Sequence, residues 1–170
     1  MKDEGLYHIS NGFFSKLNYL YLLGNNISSK GIQYLVKSEF VNNLVILNLS
    51  ENRNIGVIGI RIMNEHKGWS KLNTLNLNAT GLTNEAIKYL REAEMPKLKQ
   101  LNIIGNNFTD AGKTNINVLR LNHIHVCYRT QAERDKEIEK AKKEMMKEKQ
   151  KEEKKIKKII KTKFKKNIKI

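Results

Sequence analysis

Histidine and cysteine are the side chains in this sequence best suited to chemistry, and three of them alternate near residue 125. His123, His125 and Cys127 occupy every second position of a short apolar segment, and alternate residues of a strand point to one face. Imidazole and thiolate groups bind zinc or, with a third orienting group, form a nucleophile. Alternate strand residues lie about 6.6 Å apart, so two neighbours could share a metal but all three hardly could.

No fourth metal ligand and no orienting group for a nucleophile is recognisable in the sequence. The chain also carries no phosphate-binding loop, dinucleotide-binding fingerprint or paired-carboxylate motif. We therefore expect no catalytic residue, no metal site, no cofactor and no small-molecule substrate. If the protein is not an enzyme, its function lies in a binding surface. The secondary-structure elements that form this surface must therefore be identified.

An internal repeat accounts for most of the chain. The pattern L-x-x-L-x-L-x-x-N occurs four times, with starts 27, 28 and 26 residues apart, at Leu17, Leu44, Leu72 and Leu98. Its alternating leucines predict a short strand. The second half of each unit has apolar residues at helical spacing, which predicts a short amphipathic helix. Because no single unit can bury both sets, we expect the units to stack on one continuous core.

The repeat resembles the leucine-rich repeat family over about residues 17–112, and it is most similar to the ribonuclease-inhibitor-like subclass. The resemblance implies an α/β fold: a short right-handed horseshoe-shaped solenoid with a parallel sheet on the concave side and helices on the convex side. Two departures are visible: an extra residue in the turn between Glu51 and Ile55, and Thr80 in place of an asparagine.

The last position of the pattern is predicted to be structural, because its side chain can bond backbone groups in the turn after the strand. These residues are Asn25, Asn52, Thr80 and Asn106. At the end of the array, Ile124 and Val126 are predicted to occupy the strand positions of Leu20 and Leu22, making a fifth, closing strand. We expect residues 1–129 to form one leucine-rich repeat domain of about four full repeats with partial terminal units.

The residues between the strand leucines should line the concave face, because neighbouring strand residues point in opposite directions. They are Tyr19, Tyr21, Leu23, Ile46, Asn48, Ser50, Thr74, Asn76, Asn78, Gln100, Asn102, Ile104, His123, His125 and Cys127. None carries a formal charge. Amides offer paired donors and acceptors and tyrosines offer a large contact area, which favours binding of a protein or peptide. The alternative is that the amides only solvate the sheet.

A charged segment follows from residue 130. The chain has a net charge of +15, and residues 130–170 contain 17 basic and 8 acidic side chains. The stretch up to residue 155 consists of helix-forming residues. No acid occurs after Glu153. Nine lysines follow it: Lys154, Lys155, Lys157, Lys158, Lys161, Lys163, Lys165, Lys166 and Lys169. We expect residues 130–170 to form a Lys/Glu-rich basic α-helix; its heptad pattern is too interrupted to favour a coiled coil.

Such a basic amphipathic helix could bind an anionic membrane or nucleic acid, and biased composition is the alternative explanation. A single cysteine and the lack of a signal-like apolar start lead us to expect an intracellular, cytoplasmic protein, with the nucleus as the alternative. The sequence thus predicts a non-enzymatic interaction scaffold that binds a protein or peptide on its concave face. The alternative is a peripheral protein held to membrane or nucleic acid by its basic helix.

Overall fold

The computed structural model describes the backbone of residues 2–121 and 124–167 and the side chains of residues 2–119 and 124–156. It is an α/β structure with a five-stranded parallel sheet whose strand order follows the sequence. The strands are β1 (Tyr19–Tyr21), β2 (Ile46–Asn48), β3 (Thr74–Asn76), β4 (Gln100–Asn102) and β5 (His125–Cys127). The helices are α1 (Asp3–Ser10), α2 (Ser29–Leu35), α3 (Gly56–Glu65), α4 (Asn84–Glu92), α5 (Lys113–Leu121) and α6 (Gln131–Asn167). Short 3₁₀ helices span Glu39–Asn43 and Asp110–Gly112.

The predicted alternation of strand and helix is confirmed, and its cause is the placement of leucine. The middle leucine of each strand pairs in register with its neighbour, from Leu20 through Leu47 and Leu75 to Leu101. These side chains are buried in one core that also contains Trp69. Each strand is three residues long, and the residue after β1 still donates its N–H to the next strand, from Leu22 to the carbonyl of Asn48 at 2.8 Å.

Successive helices α1 to α5 pack against one another, and a glycine occurs where α2 and α3 each meet the turn that precedes them. A Cβ atom added to Gly31 would press on the side chain of Ile27, and one added to Gly59 would press on Ile55. Those isoleucines are fully buried. The small residue therefore allows the helix to close onto the core.

The turns after β1 to β4 use a left-handed backbone conformation at one recurring position. The residues there are Gly24, Glu51, Ala79 and Gly105, with φ angles of 64°, 62°, 51° and 76°. This conformation is easy for glycine and costs an L-residue about 1–2 kcal/mol. The second and third repeats thus tolerate strain to keep the turn, so the hydrogen bonds made by the turn must offset it.

Those hydrogen bonds come from Asn52 and Asn106, whose side chains are buried and each link two successive repeats. The Oδ1 atom of Asn52 accepts from the backbone N–H groups of Asn25 and Ile27 at 3.0 and 2.9 Å. Its Nδ2 atom donates to the carbonyl oxygens of Leu22 and Leu49, both at 2.8 Å. These are backbone groups that leave the sheet and would otherwise lack partners.

Asn106 repeats this arrangement two strands further on, between the repeats of β3 and β4. Its Oδ1 atom accepts from the N–H groups of Thr80 and Leu82, and its Nδ2 atom donates to the carbonyl oxygens of Leu77 and Ile103. Asn25 differs, because it is only half-buried and its Nδ2 atom bonds the nearby carbonyl of Leu23. The same sequence position is therefore a strong link in two repeats and a weak one in the first.

The two departures from the repeat, the extra residue before Ile55 and Thr80, meet at one place. Thr80 is fully buried and its hydroxyl donates only to the carbonyl of Leu77, at 2.7 Å. In the preceding, longer turn, the N–H of Gly56 instead donates to the carbonyl of Thr80, at 2.9 Å. The longer turn is thus hydrogen-bonded through the backbone carbonyl of residue 80. Residue 80 therefore does not need a side-chain amide to bond that turn.

The fifth strand forms, but its predicted register was wrong by two residues. Val126 pairs with Leu101 and so occupies the position of Leu20, which had been predicted for Ile124. The bonds from His125 N to Lys99 O at 2.7 Å and from Ile103 N to Cys127 O at 2.8 Å hold this register. A two-residue shift leaves every side chain on its predicted face, so alternation could not distinguish the two registers.

The chain divides into two units, residues 1–131 and 132–170. In the second unit, α6 is continuous and the described side chains from Asp135 to Ile156 are all exposed. A salt bridge of 2.6 Å joins Glu139 to Lys143 one helical turn later. Among the described residues, no helix is both long and apolar enough to cross a membrane.

Acid sensitivity is expected from His66, which follows α3 and packs edge-on against the fully buried Trp69. Desolvation in this half-buried site lowers the pKa of His66 below 6.5. Between that lowered pKa and 6.5 the unfolded chain binds more protons, so stability should fall as the pH falls through this range. Urea unfolding at a series of pH values should show the decline. His66→Gln should flatten it and His8→Gln, at an exposed histidine, should not; an unchanged slope in His66→Gln would contradict the assignment.

Candidate functional site

The outward-facing side chains of the sheet form a surface of three rows, which we call the sheet face. The strand pairings place Tyr19, Ile46, Thr74, Gln100 and His125 in the first row. They place Tyr21, Asn48, Asn76, Asn102 and Cys127 in the second row. The third row consists of the residues two positions after the second-row residues of β1 to β4: Leu23, Ser50, Asn78 and Ile104. Parallel pairing thus brings together residues that are 25 to 28 positions apart in the sequence.

An apolar patch lies at the β1 end of the sheet face. Tyr19 is 56% exposed, Tyr21 61% and Leu23 52%. β1 is an edge strand of the sheet. Ile104, the third-row residue that follows β4, is also exposed. Large aromatic side chains with this exposure are not needed for packing, so they are available for contact.

The middle of the sheet face is lined by half-buried amides that partly bond one another. The Nδ2 atom of Asn102 donates to the Oδ1 atom of Asn76 on the neighbouring strand. Asn48 Oδ1 accepts from the N–H of Ser50 at 3.0 Å, and Asn78 Oδ1 accepts from the N–H of Ile104 at 2.8 Å. Part of the hydrogen-bonding capacity of these amides is therefore used within the protein. Among the described residues, the Nδ2 atoms of Asn48 and Asn76 have no hydrogen-bond partner.

Ser50 was predicted to line this surface, and the prediction was wrong: it is only 6% exposed. Its carbonyl oxygen accepts from the N–H of Gly24 at 3.0 Å and from Asn52 Nδ2 at 3.2 Å. The left-handed turn at Glu51 draws Ser50 into the network around Asn52. The other described residues predicted for the face are half-buried or exposed.

The histidine and cysteine of β5 lie side by side at the opposite edge of the sheet. His125 Nε2 is 3.3 Å from Cys127 Sγ, with the imidazole exposed and the thiol half-buried. The third member of the predicted group, His123, lies outside the described residues. Within residues 2–119 and 124–156, no three His, Cys, Asp or Glu side chains are grouped as a metal site.

Of the lysines predicted to form the basic end of the chain, Lys154 and Lys155 are exposed on α6. The side chains of the other lysines in this set lie outside the described residues. They are Lys157, Lys158, Lys161, Lys163, Lys165, Lys166 and Lys169. The backbone of α6 is helical through Asn167, so helix formation extends into the segment without acids.

A set of lysines beside the sheet was not identified from the sequence. Lys16, Lys71 and Lys97 each precede the first leucine of a repeat, and Lys99 immediately precedes β4; all four are exposed. We call them the lysine rim. The signal that could have revealed it is the recurrence of lysine at one repeat position, where the second repeat has Asn43. That asparagine accepts a hydrogen bond from Lys71 Nζ at 2.8 Å.

Comparison with known proteins adds no assignment to this geometry. No family model matches the chain, and no curated protein matches it. The basis for a functional assignment is therefore the chemistry of the sheet face, the lysine rim and the basic helix.

Proposed function

We propose that residues 1–129 are a leucine-rich repeat solenoid of the ribonuclease-inhibitor-like type, whose sheet face is the concave side of a short right-handed horseshoe. The support is the in-register pairing of corresponding repeat positions from β1 to β5. The asparagine links of Asn52 and Asn106 add to it, because the second and fourth repeats make the same bonds from the same repeat position. Stacked units of this kind present a continuous surface wider than any one repeat.

We infer that this solenoid is a non-enzymatic interaction scaffold that binds a protein or peptide on its sheet face. The observation that carries the inference is the exposed patch of Tyr19, Tyr21 and Leu23 in a surface without formal charge. Burying a tyrosine on binding removes a large apolar area from water, and its hydroxyl keeps a polar partner. Interface energy is concentrated in a few such aromatic anchors, surrounded by polar contacts. The amides of the second row supply such contacts.

Replacing the patch should remove binding without unfolding the protein. The triple variant Tyr19→Ala, Tyr21→Ala, Leu23→Ala should bind its partner with about 100-fold lower affinity, since each interface anchor contributes roughly 1–2 kcal/mol or more. The measurement is quantitative capture of proteins from extracts of the native cells, followed by titration of the captured partner. Circular dichroism should remain unchanged, because all three side chains are exposed.

The matched control removes three exposed hydrophobic side chains away from the strands: Tyr7→Ala, Phe13→Ala and Ile58→Ala. Tyr7 lies on α1 and Ile58 on α3. This variant should keep its partner. Equal losses in the two variants would show that the effect is general to exposed apolar groups and would contradict the sheet face as the binding site.

The alternative function, attachment to an anionic membrane or nucleic acid through the basic helix, is favoured by one observation. The helix α6 continues through a segment that has lysines and no acids after Glu153. Electrostatic attachment of this kind weakens as the salt concentration rises. If removing residues 154–170 abolishes capture and the Tyr19/Tyr21/Leu23 variant does not, the function belongs to the helix and not to the sheet face.

A further inference from the structure

We propose that the segment recognised by the sheet face is an acidic polypeptide whose carboxylates bind the lysine rim. The inference rests on the proposed function of the sheet face and identifies the chemical class of its partner. Lys16, Lys71 and Lys97 lie three residues before the first residues of β1, β3 and β4, and Lys99 lies immediately before β4.

The sheet sets the spacing of the rim. Neighbouring strands are about 4.8 Å apart, so positions on β3 and β4 are one such step apart and positions on β1 and β3 are two. Lys16, Lys71 and Lys97 precede β1, β3 and β4. Asn43 fills the gap before β2, where its Nδ2 atom donates to the carbonyl of Ser15 at 3.1 Å and its Oδ1 atom accepts from Lys71. The four lysine residues therefore lie along the amino-terminal edge of the sheet, at positions that the strand spacing sets.

No acidic group of the described chain neutralises the rim. None of the four lysines forms a salt bridge with a described residue. Seven of the nine acidic residues of residues 1–129 lie in helices or 3₁₀ helices, Glu51 follows β2, and Glu94, after α4, pairs with Lys67 at 3.2 Å. Positive charge thus remains next to an uncharged surface, an arrangement that attracts an anionic partner and sets its orientation.

A polypeptide fits this arrangement better than a nucleic acid does. A nucleic acid strand carries a phosphate at every nucleotide, and a protein that binds it needs cationic contacts along its path. The described sheet face has no charged side chain in its three rows, and the lysines border only one edge. A peptide with carboxylates at one flank could place apolar and hydrogen-bonding groups over Tyr19, Tyr21 and the amides.

The test is to titrate the full isotope-labelled chain with three probes of known composition. Binding is monitored through the backbone amide signals in NMR spectra. The probes are a poly(Glu,Tyr) copolymer, a poly(Lys,Tyr) copolymer and an oligothymidylate. Amide signals of β1 to β4 report the sheet face, and signals of α6 separately report the basic helix. We expect poly(Glu,Tyr) to shift the signals of the sheet face and poly(Lys,Tyr) to leave them in place.

The rim variant carries Lys16→Gln, Lys71→Gln, Lys97→Gln and Lys99→Gln. Its affinity for poly(Glu,Tyr) at the sheet face should fall about tenfold at low salt, because several exposed ion pairs are lost together. The control variant changes four other exposed lysines by the same charge, at Lys2, Lys30, Lys37 and Lys88. It should lose less than twofold. Both variants keep α6, so binding by that helix cancels in the comparison.

The remaining outcomes would overturn the inference. Equal losses in the two variants would show that net charge, and not the rim, attracts the probe. If both copolymers shift the sheet face to the same extent, the acidic preference is wrong and the protein-binding surface stands. If oligothymidylate alone shifts it, the surface binds nucleic acid. If all three probes shift only α6, the proposed function of the sheet face fails as well.

Discussion

Replacing Asn52 with alanine should lower the free energy of unfolding by about 4 kcal/mol, since several buried backbone groups lose their hydrogen bonds at once. The N–H groups of Asn25 and Ile27 and the carbonyls of Leu22 and Leu49 all bond the Asn52 side chain. Ile27 and Leu49 are fully buried, so water cannot easily replace the lost partner. Urea unfolding followed by circular dichroism measures the change.

Asn25→Ala is the matched control, because it makes the same substitution at the same repeat position. Within the described part of the chain, the half-buried side chain of Asn25 bonds the carbonyl of Leu23 alone, at 3.0 Å. Its loss should cost about 1 kcal/mol or less. Asn52→Thr should fall between the two, because a hydroxyl there can bond the carbonyl three residues before it, as Thr80 does with Leu77. Equal destabilisation by the two alanine variants would show that the buried link between repeats does not set the cost.

Gly81→Ala should destabilise the protein by about 3 kcal/mol or more, because it combines a left-handed backbone with a steric clash. Gly81 has a φ angle of 77°. A Cβ atom on this residue would run into the backbone carbonyl oxygen of Arg53. Backbone cannot move aside as a side-chain end can, and Arg53 belongs to the longer turn that bonds Thr80 through Gly56. Thermal and urea unfolding should both register the loss.

Gly24→Ala separates the cost of the left-handed backbone from the cost of the steric clash. Gly24 has a similar φ angle of 64°, but the nearest atom to an added Cβ is the Oε2 atom of Glu51 at 3.8 Å. This variant should therefore show the conformational cost alone, about 1 kcal/mol. If Gly81→Ala costs no more than Gly24→Ala, the carbonyl of Arg53 moves away in solution and the close approach is not essential to the turn.

Much of the architecture was predictable because its signals are local and repeated. The alternating leucines around Leu47 and Leu75 predict strands, and residues such as Ile60 and Ile87 at helical spacing predict helices that close the core. Four copies of one pattern reinforce each other, so errors in any one unit matter little. The same repetition identified the sheet face, since side-chain alternation determines which strand residues point away from the leucines.

What the tertiary structure decided depends on distances between residues far apart in the chain. The register of β5 needed the bonds of His125 and Ile103 to neighbouring backbone, because alternation is unchanged by a two-residue shift. The burial of Ser50 and the approach of Arg53 to Gly81 follow from how one turn stacks on the next. The recurrence of lysine before the first leucine is visible in the sequence, but parallel pairing is what brings these lysines to one edge of the sheet. A sequence pattern specifies which way a residue points within its own element; which groups it meets is set by the packing of elements against each other.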